Sequence, residues 1–470
     1  MPYRKPTGPL PTLSSEVAEA DLGDARLARR LGLLIDRLAE RPSESFPAAL
    51  SDAELEGAYR FFGNNQVTPE AILAPHFRQT TRRAAELSRI IVTHDTTQFE
   101  FGGQAKRKGL GRLIKPSAQG FFGHFSFALS ADGERRPLGL LALETVFRLK
   151  KSIGQKNWTP EQRLGESERW LRSVRAVEEH LDGCSQAIHV MDREGDQYAV
   201  LAWLDKAEKP FVIRAFQDRR LAGDDESRLR AVASAAKPTL RRDVPLSPRP
   251  HIQGPKGQRH PARRHRVARL SFAAVSLELK RPTMAEERAT GPLRLNVVHV
   301  FEPRAPRGEP PVEWFLLTNL PIDSEQAITF VVDCYRARWS IEEFFKALKT
   351  GCQFEKRQLE SAHSLLNALA ILAPVAWRLL LLRHLARARD PGPATNALTP
   401  KQLEVLRAIA KKPIPTKPTA RDAMLAIAAL GGHLKSNGDP GWLVLGRGMH
   451  DLLLLEFGWR AREAVGSDQS

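Results

Sequence analysis

Residues 335–351 read YRARWSIEEFFKALKTG. At about 100° per residue on a helix, Arg338, Glu342 and Lys349 fall at about 300°, 340° and 320° from Tyr335. One narrow strip therefore carries Tyr, Arg, Glu and Lys in line. Ile341, Phe345 and Leu348 fall at about 240°, 280° and 220° and form an apolar strip beside it. The pattern predicts one long helix, from about Ser324 to Lys349, with a buried face and an adjoining charged face. An Arg338–Glu342 pair at i, i+4 suits any amphipathic helix. The aligned tyrosine and lysine do not follow from pairing alone.

Upstream, Arg89–Phe101, Phe121–Ser130 and Leu138–Phe147 read as three consecutive strands. A helix is expected at about Glu166–Leu181, a strand at Ala187–Met191, a helix at Tyr198–Lys206 and a strand at Phe211–Ala215. This β-β-β-α-β-α-β order predicts an α/β domain whose mixed sheet starts antiparallel and continues parallel. Asp95 follows Ile90-Ile91-Val92 and Asp192 follows Ile188-His189-Val190-Met191, each where an apolar strand ends. Such aspartates often only shape turns. Adjacent strand ends can also bring two carboxylates to one hard divalent cation. His94 and His189 are close in sequence, but alternation along a strand sends them to the opposite face.

Further out, residues 237–270 carry ten Lys/Arg against Asp243 alone, in a chain of 470 residues with net charge +17. Such density favours a polyanionic partner over a solvated loop. Short β-like runs follow at Val267–Leu279 and Leu293–Phe301, so the stretch reads as a β-rich insertion, at about 220–312, within a catalytic unit at 86–390. The apolar run returns at Trp314–Leu317. Residues 1–85 read as a small helical unit: Leu27, Leu31, Leu34 and Leu38 share one stripe, with Arg26, Arg29 and Arg37 turned away. SDAE at Ser51–Glu54 fits a capping box, and Thr68-Pro69 an N-cap with proline at N1. Residues 391–470, after the linker ARDPGPATN, read as a third, helical unit. Ser361–Trp377 is apolar but too short to span a bilayer, and MPYRKPTGPLPTLSS shows no apolar signal segment. Cys184, Cys334 and Cys352 form no CxxC pair, which suggests a reducing compartment without zinc knuckles or disulfides.

The motif Tyr335-x2-Arg338-x3-Glu342-x6-Lys349 resembles the Tyr-Arg-Glu-Lys signature of DDE transposases of the insertion-sequence-four family. HDTT at His94–Thr97 and MDREGD at Met191–Asp196 resemble the settings of its two aspartates. EWFLLTNLP at Glu313–Pro321 resembles the segment that handles a flipped base. LGDARLARR at Leu22–Arg30 and EGAYRFFGN at Glu56–Asn64 resemble the end-binding domain, and AMLAIAALGG at Ala423–Gly432 the dimerisation region. The resemblance implies a ribonuclease-H-like α/β core with a β-rich insertion, flanked by helical N- and C-terminal domains. It implies that Asp95, Asp192 and Glu342 hold two Mg²⁺ or Mn²⁺ ions. Tyr335, Arg338 and Lys349 would grip phosphates, Arg214 would contact DNA, Trp314 would stack on an extruded base, and Arg26, Arg29 and Arg30 would meet the transposon end. It further implies a homodimer acting on transposon-end and target DNA, away from membranes, in a bacterial cytoplasm at the nucleoid. A nuclease of the same fold that cuts without joining, and a non-catalytic regulator descended from a transposase, are the other readings.

Overall fold

The computed structural model describes residues 12–102, 106–113, 119–147, 160–223, 226–246, 252–253, 259–260, 264–283, 291–388, 391–434 and 439–467. A ten-stranded sheet runs through its centre. The first strands are β1 (Arg89–Phe101), β2 (Gly111–Arg112), β3 (Gln119–Ser130), β4 (Pro137–Val146), β5 (Gln186–Met191) and β6 (Phe211–Arg214). β3 pairs antiparallel with β1 and, on its outer edge, with β4 and β2. β5 lies parallel to β1, and β6 parallel to β5. The antiparallel start and parallel continuation are those predicted.

The later strands, those of the β-rich insertion and the one after it, extend the same sheet apart from one short ribbon. They are β7 (Pro238–Leu246), β8 (Ile252–Gln253), β9 (Arg259–His260), β10 (Arg266–Leu279), β11 (Leu293–Phe301) and β12 (Glu313–Thr318). β12 pairs antiparallel with β6, and β11, β10 and β7 follow outward, so the same sheet simply continues. β8 and β9 form a separate two-stranded ribbon. β7 begins on Pro238, carries Pro245 and exposes much of its length, as befits a sheet edge.

Helices cover both faces. The N-terminal helices are α1 (Leu13–Glu16), α2 (Ala25–Glu40), α3 (Phe46–Ala49), α4 (Asp52–Gly63) and α5 (Pro69–Ala85). The expected caps are present: the Ser51–Glu54 capping box opens α4, and Thr68 with Pro69 opens α5. α6 (Pro160–Leu181) lays Val177 and Leu181 on Ile90 and Val92. α7 (Tyr198–Lys206) and α8 (Leu229–Ala235) pack on that side too. The predicted long helix is divided into α9 (Glu325–Ala337) and α10 (Trp339–Lys346), followed by a π-turn over Ala347–Gly351. At the division the Arg338 N–H bonds Tyr335 O at 3.1 Å, three residues back rather than four. Arg338 keeps helical dihedrals, so the axis continues while the ladder tightens.

α11 (Ala362–Arg387) is the one described helix long and apolar enough to cross a membrane, and 78 % of its most apolar window is buried inside the protein. It joins the units. Asn367 Nδ2 donates to Phe62 O at 3.0 Å and Val67 O at 3.1 Å, and the N-terminal helices share one hydrophobic core with α9–α11 and the sheet. α12 (Pro400–Ile409), α13 (Ala420–Leu430) and α14 (Trp442–Ser467) complete the chain around a small core of their own. The three cysteines are free.

α13 and α14 meet at glycines. A Cβ on Gly448 would stand 1.7 Å from Ile427 O, and one on Gly431 would stand 2.0 Å from Val444 O. Gly448→Val should therefore force the two helices apart. Hydrogen exchange should show lost protection across Trp442–Ser467 with β1 and β5 unchanged; unaltered protection in α14 would contradict this packing.

Candidate active site

Parallel pairing of β1 with β5 ends at His94 and Met191. The next residues, Asp95 and Asp192, therefore lie side by side. Asp95 is not at a strand end, as the apolar run suggested; β1 continues to Phe101 because β3 still pairs with it. It is β5 that stops. Asp192 caps the following turn, its Oδ1 accepting Glu194 N–H at 2.8 Å. Asp95 Oδ1 accepts Thr96 N–H at 2.7 Å. Glu342 comes from the first turn of α10.

Arg338 links two of the three carboxylates. Its Nη1 donates to Asp95 Oδ2 at 3.0 Å and its Nη2 to Glu342 Oε1 at 2.7 Å. Its buried Nε has no hydrogen-bond partner among the described residues. Burial pushes the Asp95 carboxyl up to about 7; Asp192 and Glu342 add to the rise, and Arg338 and the Thr96 N–H oppose it. Arg338 is itself held above its usual range: Tyr335, Asp95 and Glu342 outweigh its burial.

Tyr335, Arg214 and Trp314 join this group. Ile213 pairs with Met191, so Arg214 stands level with Asp192 on the neighbouring strand. Arg214 donates to Glu313 O at 3.1 Å, and its charge opposes the rise in pKa that burial gives the Tyr335 hydroxyl. The half-buried Trp314 ring lies 5.3 Å from that of Tyr335. Lys349 emerges from the π-turn farther along β1: its Nζ donates to Gln98 O and lies 3.7 Å from Glu355. Burial lowers its pKa.

Other candidates lie elsewhere. His94 and His189 are on the opposite face, as alternation predicted. They bond each other at 2.9 Å, with Ser126 and Glu178 completing a buried row. Arg26 forks onto Asp24, Arg29 is exposed and Arg30 lies against Gly57; all three belong to α2. In the basic segment, Arg266 is taken up by Glu302 and Glu309, Arg242 by Asp333 and Arg269 by Asp243. These pairs build the sheet edge rather than leave every charge for DNA. Arg249, Lys256 and Arg263 fall outside the described residues.

The sequence reading gave no role to Asp196, the last residue of MDREGD. Buried Asp196 accepts from Arg219 at 2.6 Å and from the Phe216 and Gln217 N–H groups at 2.7 and 2.9 Å. This ties the turn holding Asp192 to the segment after β6. The second aspartate in the motif was the available signal, and its partner 23 residues on was not.

Among the described residues no three His, Cys, Asp or Glu side chains stand as a ready-made metal cluster. The donor chemistry nevertheless fits a divalent cation. Burial above all, with Asp192 and Glu342 adding to it, raises the Asp95 carboxyl to about 7 against the pull of Arg338. Hard oxygen donors suit Mg²⁺ or Mn²⁺.

That imbalance is testable as stability. A carboxyl raised from 3.8 to about 7 weighs against folding progressively as pH climbs through that interval, and fully above it. Without divalent cations, Asp95→Asn should stabilise the protein at pH 8 by roughly 2–4 kcal/mol in urea titrations. The gain should fade as pH falls toward 4. A variant less stable than wild type at pH 8 would show that the Asp95–Arg338 bond outweighs the crowding.

Residues 12–67 match the transposase DNA-binding family, and residues 162–377 match the transposase DDE domain family. The first span contains the α2 arginines. The second contains Asp192, Arg214, Trp314, Tyr335, Arg338, Glu342 and Lys349; Asp95 precedes it and joins through the β1–β5 register. The chain thus carries the parts of a DDE transposase: a transposase DNA-binding domain followed by a ribonuclease-H-like DDE domain.

Proposed function

We propose that this protein is a cut-and-paste DNA transposase of the insertion-sequence-four family, resembling the transposase of transposon five. The observation that carries the reading is the meeting of Asp95, Asp192 and Glu342 with Arg338, Arg214, Tyr335 and Trp314 beside the central strands β1, β5, β6 and β12. Two divalent cations held by Asp95, Asp192 and Glu342 would activate the attacking water or hydroxyl and stabilise the leaving oxygen. Arg338 is a fork donor with more N–H groups than its two carboxylates use, so it can hold a phosphate oxygen. Lys349 adds a point charge and Tyr335 a hydroxyl. Trp314 offers a face to a base turned out of the duplex.

In the reaction order that the resemblance implies, hydrolysis frees a 3′-hydroxyl at the element's end. That hydroxyl attacks the opposite strand to give a hairpin; a second hydrolysis opens it, and the 3′-ends join target DNA. Each step is an in-line attack on a phosphodiester, so one set of carboxylates serves all four. Domains at 1–85, 86–390 and 391–470 would bind ends, cut and dimerise, in the cytoplasm at the nucleoid. Arg26, Arg29 and Arg30 would contact end phosphates. Exposed Leu443, Leu454, Leu455 and Trp459 on α14 give a homodimer an apolar face to bury.

Asp192→Ala should lower metal-dependent nicking of end-containing duplex by at least a thousandfold while leaving gel-shift affinity within about twofold. Nicking by the folded variant at near wild-type rate would sink the carboxylate assignment. Trp314→Ala should spare the first nick and slow hairpin formation roughly ten- to a hundredfold on denaturing gels, since base stacking is worth about 1–3 kcal/mol. Trp314→Phe should recover part of the loss. Equal loss of both steps with a much lower melting temperature would make Trp314 a core residue only.

A further inference from the structure

Phe216 is a large apolar side chain left 60 % exposed beside the candidate active site. Exposure of one phenylalanine is unremarkable by itself. Its placement is not explained by chance exposure of a loose loop. The Phe216 N–H is held by buried Asp196 at 2.7 Å, the next N–H by the same oxygen at 2.9 Å, and Phe216 O by Arg230 Nη2 at 2.9 Å. Asp196 is in turn fixed by Arg219. The backbone is thus pinned from both sides while the ring faces solvent.

The register says where that ring stands. β6 and β12 pair antiparallel with Leu316 opposite Arg214, and the ladder continues through Ala215 N–H to Phe315 O at 2.8 Å. Two residues beyond Arg214, Phe216 comes opposite Trp314. Residues opposite each other in an antiparallel pair share a face. Here it is the face of Arg214, which donates to Glu313 O, and of Trp314, which packs on Tyr335. Ala215 and Phe315, one step out of phase, lie together in the core on the other face. Exposed Arg220 and Arg230 flank the segment. An aromatic ring set among arginines at the edge of a cutting site is the arrangement that holds unpaired bases.

We propose that Phe216 is a DNA-contacting residue whose exposed ring, on the same face as Trp314, receives an unpaired base near the cut. The proposal rests on the DNA-transposase reading. A flat apolar ring finds a partner only where a base face is free, whereas the arginines hold phosphates in any sequence. Phe216 therefore contributes preference for unpaired DNA rather than general affinity.

The test is binding of the full-length protein, in EDTA, to two 40-base-pair duplexes of one sequence. One is perfect and one carries a three-base bulge, and affinities come from fluorescence anisotropy. Wild type should favour the bulged duplex by about tenfold. Phe216→Ala should bring that ratio near one, Phe216→Trp should keep it, and all three proteins should melt together. Wild type binding both duplexes equally, or Phe216→Ala retaining the tenfold ratio, would overturn this role for Phe216 and leave the transposase reading intact. Wild type binding neither duplex would overturn both.

Discussion

Three carboxylates cannot be brought together in a half-buried site without a counterweight, and the bond network of Arg338 answers that constraint. β-Pairing leaves no freedom over Asp95 and Asp192: where β5 ends against β1, the two become neighbours. Glu342 arrives from α10, and Arg338, one turn earlier, reaches both Asp95 and Glu342. The counterweight is partial: burial, aided by Asp192 and Glu342, still raises the Asp95 carboxyl. A site left short of positive charge is primed for cations and held together by an arginine suited to phosphate. The same residue thus stabilises the DNA-free protein and stands ready for substrate.

The surrounding architecture fixes that edge. β6 sets Arg214 level with Asp192, and β12 carries the sheet on to Trp314. Asp196 and Arg219 lock the segment after β6 to the turn after β5. On the far side of the sheet, a buried row of Ser126, His94, His189 and Glu178 satisfies its own polar groups. Charge in the insertion serves structure as well: Arg266 and Arg242 fasten the outer strands through Glu302 and Asp333. Binding strength for DNA therefore cannot be read from net charge alone.

Local signals in the sequence were reliable where the physics is local. Ser51–Glu54 and Thr68–Pro69 cap helices because a side chain meets an N–H three residues away. Apolar runs marked β1, β3, β5 and β6, and alternation sent His94 and His189 away from the aspartates. Non-local pairing was hidden. β7, with Pro238, Pro245 and the charged run Arg241-Arg242-Asp243, has no apolar run to betray it. The Ile and Val run before Asp95 pointed to a strand end there, while the strand read over Arg89–Phe101 runs on past it because β3 pairs along its length. The tightened turn at Arg338 and the π-turn that carries Lys349 leave the helical pattern intact while changing the ladder. Asp196 has its partner in a different loop, where no spacing rule points.

The central claim is that Asp95, Asp192 and Glu342, far apart in sequence, form one site for divalent cations. Iron-directed cleavage of the polypeptide measures this most directly. Fe²⁺ bound in the site, with ascorbate and peroxide, makes hydroxyl radicals that cut backbone only nearby. The account predicts fragments ending close to residues 95, 192 and 342 together, suppressed by excess Mg²⁺ and lost in Asp192→Asn. Cuts that miss any of the three segments, or that persist unchanged in Asp192→Asn, would contradict it.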